Sequence, residues 1–101
     1  MNLNGVAIVV AEWAESMPNV KAAYLFGSRV KGTNRSDSDL DVAIALDGED
    51  EGLADWIFNA AEMRNALGAM LPMPLDLQVM HSEDAVVMPA VKQHGLLVFK
   101  R

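Results

Sequence analysis

Apolar and polar positions follow two different periods along the chain, and each period predicts one kind of element. Helical spacing marks an N-terminal segment that Pro18 ends, with apolar residues at Val6, Val9, Val10, Trp13 and Met17. The same spacing marks a longer segment that should end before Pro72, with Leu53, Trp56, Ile57, Ala60, Met63, Leu67 and Met70 on one face. The two patterns predict two amphipathic helices.

Shorter apolar runs predict strands at 20–26, 40–46 and 75–80, and the run "LLVF" predicts a last short strand. The acidic residues at 47–51 are typical of a solvated turn. Ser82 is a possible cap for a further helix, and Gly95 suits the position just after its end.

The resulting element order is α-β-β-α-β-α-β. It predicts one α/β domain over residues 1–101, with a small mixed sheet and helices packed on one face.

Strand alternation places three acidic side chains on one face of the predicted sheet. In the second strand Asp39 and Asp41 point opposite to the apolar positions, and in the third strand Asp76 does the same, with Gln78 beside it. If the apolar faces meet the helices, the three carboxylates converge on the open face. They would repel one another unless a cation lay among them, and oxygen ligands suit Mg²⁺ or Mn²⁺ better than zinc.

A Gly-Ser turn follows the first strand. Gly27 has no side chain, so a ligand can approach its backbone, and Ser28 offers a hydroxyl at the start of a helical turn whose N–H groups can bind an anion. Arg29 and Lys31 add positive charge nearby. A phosphate site beside a metal site is suited to attack on a nucleoside triphosphate with pyrophosphate as the leaving group.

Composition narrows the choice of partner and compartment. Eight Lys and Arg face fourteen Asp and Glu, for a net charge of −6, which disfavours a long nucleic acid but leaves a small polyphosphate possible. The absence of cysteine excludes disulfides and thiolate metal sites and suits the cytoplasm. There is neither an apolar run long enough to cross a bilayer nor a basic leader, so we expect a cytoplasmic protein without membrane contact.

The stretch "GSRVKGTNRSDSDLDVAI" resembles the signature of the minimal nucleotidyltransferases, within the DNA polymerase beta superfamily. That signature is a Gly-Ser, a gap, an Asp-x-Asp and a third Asp on a later strand. Here ten residues separate Ser28 from Asp39, and Asp76 in "LDLQV" matches the third acid. The resemblance covers most of the chain and implies the polymerase beta-like nucleotidyltransferase fold.

The resemblance also implies a role for each matching residue. Asp39 and Asp41 would bind two Mg²⁺ ions, for which Mn²⁺ is an alternative, and Asp76 would assist the metal that activates the acceptor. Gly27 and Ser28, with the charge of Arg29, would bind the triphosphate of ATP.

Family members of this size are often antitoxins paired with a small helical HEPN protein, a ribonuclease toxin, and some transfer AMP from ATP to a tyrosine of the toxin. The resemblance therefore implies a Mg²⁺-dependent adenylyltransferase acting on a HEPN toxin within a hetero-oligomer. Two alternatives stay open: an antitoxin that neutralises its partner by binding alone, and an enzyme acting on a small hydroxylated molecule such as an antibiotic. The larger antibiotic-modifying relatives are expected to carry an extra substrate-binding domain, and because none is predicted within these 101 residues, the antibiotic alternative is disfavoured.

Overall fold

The computed structural model describes residues 2–32, 38–46, 49–80, 91 and 95–101, with 49–55 described as helical backbone. The elements in chain order are α1 (Leu3–Ser16), β1 (Val20–Phe26), α2 (Ser28–Lys31), β2 (Leu40–Leu46), α3 (Glu49–Gly68), β3 (Leu75–Val79) and β4 (Leu96–Lys100). The predicted first helix and all four predicted strands are confirmed. No helix in this part of the chain is both long and apolar enough to cross a membrane.

The four strands form one mixed sheet in the order β3-β2-β1-β4. β1 pairs antiparallel with both β2 and β4, whereas β2 pairs parallel with β3. Parallel neighbours need a long crossover between them, and α3 with its following turn supplies it. This crossover puts the starts of β2 and β3 at the same end of the sheet, where the predicted site residues Asp41 and Asp76 lie.

The main core lies between the sheet and one layer formed by α1 and α3. Its members from β2 and β3 are Leu40, Val42, Ile44 and Leu77, each fully buried. α1 contributes Val10 and Trp13, and α3 contributes Met63 and Leu67. The prediction that the leucine and valine faces of the strands meet the helices is therefore confirmed. Burial of each such side chain stabilises the fold by about 1.5–3 kcal/mol.

The ends of α1 are defined by side chains as well as by its apolar pattern. Asn2 caps the first turn, since its Oδ1 accepts a hydrogen bond from the Gly5 backbone N–H at 2.8 Å. At the other end the C-terminal Arg101 donates to backbone carbonyls, with Nε 3.1 Å from the Val20 oxygen and one terminal nitrogen 3.1 Å from the Met17 oxygen. A cation at a helix C-terminus is favourable, so Arg101 ties the last residue of the chain to α1 and β1.

The opposite face of the sheet is partly covered, which corrects the expectation of a fully open face. Phe26 and Ala43 are buried there with Val91, and Tyr24 and Met80 pack against them. The methyl side chain of Ala43 leaves room for the larger neighbours to close over the sheet. The acidic end of β2 therefore has an apolar cluster on one side.

Three predictions about α3 were wrong. Met70, predicted on its apolar face, lies beyond the end of α3 and is 53% exposed. Glu49–Glu51 belong to the first turn of α3 and not to a solvated turn; acidic residues are favourable at a helix N-terminus. Ile57, predicted on the apolar face, is 70% exposed, because the inward stripe runs through Trp56, Met63 and Leu67, about a hundred degrees away around the helix axis. Residues 47–48 lie outside the described residues.

The predicted helix after Ser82 also lies outside the described residues, apart from Val91, which is helical. Gly95 donates its backbone N–H to the Val91 carbonyl at 2.7 Å. A Cβ at Gly95 would stand 2.8 Å from Val91 Cγ1, so a glycine is needed for this close approach. Gly95 thus makes the backbone hydrogen bond expected of a residue at the end of a helical turn.

Candidate active site

The site begins where β1 ends, at Gly27. Its backbone has φ +80°, a conformation that residues with a side chain rarely adopt. A Cβ at this position would lie 2.8 Å from Cγ of Asp41, inside the space of that carboxylate. Gly27 is therefore needed for both its conformation and its contact, and it brings the Gly-Ser turn directly against the first acidic strand.

Asp41 and Asp76 are direct neighbours across β2 and β3. The parallel register pairs the two residues, and the same register pairs Leu40 with Leu75 and Val42 with Leu77. Adjacent strands lie about 4.8 Å apart, so side chains at paired positions on the same face meet. Their carboxyl groups interact, since after burial the charge of Asp76 is the next largest cause that raises the pKa of Asp41. The structure thus brings together two of the three aspartates that the sequence analysis selected.

The environment of Asp41 disfavours its charge. Burial is the largest cause, followed by the negative charge of Asp76, the hydrogen bond with Asp76 and the charge of Asp39. Together they raise the pKa of Asp41 from 3.8 to about 6. A cation that binds next to Asp41 would stabilise its charged form, which this environment disfavours.

Asp39 is the exposed member of the three aspartates. It lies before the first residue of β2, and its charge reaches Asp41. Within the described part of the chain, no three His, Asp or Glu side chains stand close enough together to hold a metal ion. Only two of the three predicted carboxylates, those of Asp41 and Asp76, are neighbours. A metal site with three protein ligands would require Asp39 to move toward them.

The residues present nevertheless fit Mg²⁺ or Mn²⁺. Mg²⁺ is usually held by one or two carboxylates together with substrate phosphates and water, and not by a cage of protein ligands alone. The Asp41–Asp76 pair offers oxygen donors of that kind, and a cation beside Asp41 would offset the burial and the repulsion by Asp76 that raise its pKa. The chain contains no cysteine that would favour a softer metal.

Arg29 lies in the half-buried turn, but its side chain bonds to the backbone. Its Nε and a terminal nitrogen donate to the Ser38 carbonyl at 3.0 and 2.7 Å. Ser38 directly precedes Asp39, so Arg29 links the start of α2 to the start of β2. Ser28 is half-buried as the first residue of α2, whereas Lys31 is exposed.

Gln78 is a neighbour of the acidic pair to which the sequence analysis gave no role. Its Nε2 donates to Oδ1 of Asp76 at 2.6 Å. The period of two along β3 already placed Gln78 on the face of Asp76. That alternation is the signal that could have identified it as part of the site.

Comparison with known proteins gives the family of this chain. The family described as "Polymerase beta, Nucleotidyltransferase" matches residues 9–101. The chain belongs to this nucleotidyltransferase family. The resemblance noted in the Gly-Ser and Asp-x-Asp motifs is thereby confirmed.

One curated relative of this nucleotidyltransferase is Protein adenylyltransferase MntA of Shewanella oneidensis strain MR-1. The two are 28% identical over 81 residues, which is 80% of this chain and 55% of the relative. The chain therefore spans about half the length of this curated relative.

Solved structures confirm the nucleotidyltransferase fold. A crystal structure of a toxin–antitoxin with AMP-PNP matches with TM-score 0.73 and 24% identity, over 94% of this chain and 73% of the other. A structure of a tri-AMPylated Shewanella oneidensis HEPN toxin in complex with MNT antitoxin matches with TM-score 0.67 and 20% identity, over 97% of this chain and 72% of the other. At these identities the likeness shows the fold alone.

Proposed function

We propose that this chain is a Mg²⁺-dependent nucleotidyltransferase that transfers AMP from ATP to the hydroxyl group of a tyrosine in a HEPN-type toxin. By this transfer it acts as an antitoxin. The observation that carries the proposal is the in-register pair of Asp41 and Asp76 next to the Gly27–Ser28 turn. In a nucleotidyltransferase, carboxylates at such a position hold the metal and a Gly-Ser turn faces the triphosphate.

The residues divide the work between metal and phosphate. Asp41 and Asp76, with Asp39 at the exposed end of β2, would hold up to two Mg²⁺ ions or, alternatively, Mn²⁺. When bound, the metal would neutralise phosphate charge and make an acceptor hydroxyl easier to deprotonate. Gly27 brings its turn against Asp41, and Gly27 and Ser28 together would bind the phosphate from this turn. Arg29, which links the start of α2 to Ser38 just before β2, would add positive charge beside the phosphate.

The toxin partner is inferred from the relatives. One of them is a protein adenylyltransferase, and another matched structure contains an AMPylated HEPN toxin with its MNT antitoxin. The net charge of −6 disfavours a long nucleic acid as the acceptor. A hetero-oligomer in the cytoplasm, where ATP and Mg²⁺ are abundant, completes the proposal.

Intact mass spectrometry tests the transfer directly. The chain is incubated with a HEPN-type toxin, ATP and Mg²⁺, and we expect the toxin to gain the mass of one or more AMP groups. Excess chelator should abolish the gain, because the carboxylates cannot bind ATP productively without a cation. An unmodified toxin in the presence of Mg²⁺, with a complex of the two proteins still formed, would contradict the proposed chemistry.

Neutralisation by binding alone is the second candidate. α3 exposes two adjacent apolar side chains, Phe58 at 86% and Ile57 at 70%, and exposed apolar residues of this kind are typical of protein contact surfaces. A blocker would need such a surface and no metal. Variants of the aspartates therefore separate the two candidates.

A further inference from the structure

Gln78 is an uncharged polar side chain that contacts the acidic pair through a hydrogen bond to Asp76. We infer that Gln78 is a positioning residue: its amide holds the Asp76 carboxylate in the orientation needed to bind the metal ion. The inference rests on the proposed function, since it assigns Asp76 to that metal. It adds a residue that neither the Gly-Ser nor the Asp-x-Asp motif includes.

The geometry of the hydrogen bond supports this role. Gln78 Nε2 lies 2.6 Å from Asp76 Oδ1, a short distance for a bond from an amide to a carboxylate oxygen. An ionised carboxylate only accepts hydrogen bonds, so the amide must donate here. With one oxygen fixed by Gln78, rotation of the carboxyl group about its Cβ–Cγ bond is restricted. The other oxygen then keeps a defined direction.

The neutral charge of Gln78 suits it to this positioning role as much as its hydrogen bond does. A lysine or arginine at this position would also donate, but its positive charge would compete with a metal cation for Asp76. The amide holds the carboxylate and leaves the negative charge of the site unchanged. Gln78 is thus suited to orienting a metal ligand and poorly suited to replacing the metal.

The backbone around Gln78 is fixed as well. In the parallel register Gln78 pairs with Ala43, which is fully buried, one step along the sheet face from the Asp41–Asp76 pair. Gln78 itself is half-buried. Neighbouring strand pairs therefore hold the backbones of both residues of the hydrogen bond. Removing such a support typically lowers metal affinity or activity about 10- to 100-fold.

Mn²⁺ binding tests the inference. Free Mn²⁺ is measured by electron paramagnetic resonance as the full chain is titrated in the presence of AMP-PNP. Gln78→Met keeps the length of the side chain and removes the donor, and we expect its Mn²⁺ dissociation constant to rise about 10- to 100-fold. Asn65→Leu, which likewise keeps the side-chain length and removes an amide on the exposed side of α3, is the matched control and should leave the constant within twofold.

A double-mutant cycle distinguishes positioning from a general effect on the fold. In an Asp76→Asn background the carboxylate is already lost, so Gln78→Met should cost little further affinity. An equal loss in both backgrounds would overturn the inference, and so would a Gln78→Met variant that binds Mn²⁺ as the parent does. In both cases a parent that binds Mn²⁺ leaves the proposed function standing.

Two further outcomes are decisive. If the parent chain binds no Mn²⁺ with AMP-PNP, the proposed function is contradicted. The inference about Gln78 is then contradicted as well, because it rests on that function. If Gln78→Met does not fold, as judged by thermal unfolding, Gln78→Leu is measured in its place. If neither variant folds, Gln78 supports the fold and not the metal ligand, and the inference is overturned.

Discussion

Replacing Asp41 with asparagine should stabilise the folded protein at neutral pH. The substitution keeps the size of the side chain and removes a charge that burial, the charge of Asp76 and the hydrogen bond with Asp76 all disfavour. The rise of the Asp41 pKa from 3.8 to about 6 corresponds to at most about 3 kcal/mol, since one pKa unit is about 1.4 kcal/mol. Because Asp41 is only partly buried, solvent screening reduces this to about 1–2 kcal/mol.

The sign of the pH dependence follows from the direction of the shift. The folded state binds a proton at Asp41 more tightly than the unfolded state does, so protonation at this site stabilises the fold. That stabilisation is fully present below pH 3.8 and is lost as the pH rises through about 6. The parent should therefore lose stability across this window relative to Asp41→Asn, and the difference should be greatest at pH 7.

Thermal and urea unfolding, followed by circular dichroism in the presence of chelator, measure the effect. At this chain length 1 kcal/mol corresponds to a change in Tm of about 4–8 °C, so we expect Asp41→Asn to melt about 4–16 °C above the parent at pH 7. Glu12→Gln removes an exposed carboxylate from α1 and serves as the control, with a Tm close to that of the parent. An Asp41→Asn variant that is no more stable than the parent at pH 7, or a difference that does not shrink toward pH 4, would refute the reasoning.

Three further substitutions test the site and its support. Gly27→Ala should weaken binding of Mg²⁺ with ATP by calorimetry and destabilise the fold more than Gly32→Ala does, because both glycines have positive φ but only Gly27 lies against Asp41. Arg101→Ala should lower the free energy of unfolding by about 1–2 kcal/mol, since four hydrogen bonds join its side chain to backbone carbonyls of α1, Met17 and β1. The double variant Asp39→Asn/Asp41→Asn should still bind the toxin but fail to transfer AMP and to protect cells.

Each of these expectations has an outcome that contradicts it. Equal losses in Gly27→Ala and Gly32→Ala would show that backbone strain alone matters and that the contact with Asp41 does not. An unchanged urea midpoint for Arg101→Ala would remove Arg101 from the determinants of stability. Full protection by a folded double variant that binds no metal would favour neutralisation by binding over AMP transfer.

The sequence by itself determined the strands and which face of the sheet their side chains occupy. The period of two in "LDVAIAL" and "LDLQV" placed Asp41 and Asp76 opposite the apolar side chains, and the structure buries Leu40, Val42 and Leu77 as that pattern requires. Such local inferences succeed because alternation along a strand depends only on backbone geometry.

Only the tertiary structure decided which residues are neighbours. The parallel pairing of β2 with β3, after the α3 crossover, puts Asp41 level with Asp76, and burial together with the charge of Asp76 raises the pKa of Asp41. The bond from Arg29 to the Ser38 carbonyl joins residues nine positions apart, and the packing of Val91 over Ala43 covers a face that the pattern left open. These contacts depend on how separate elements meet, and a one-dimensional period carries no information about that.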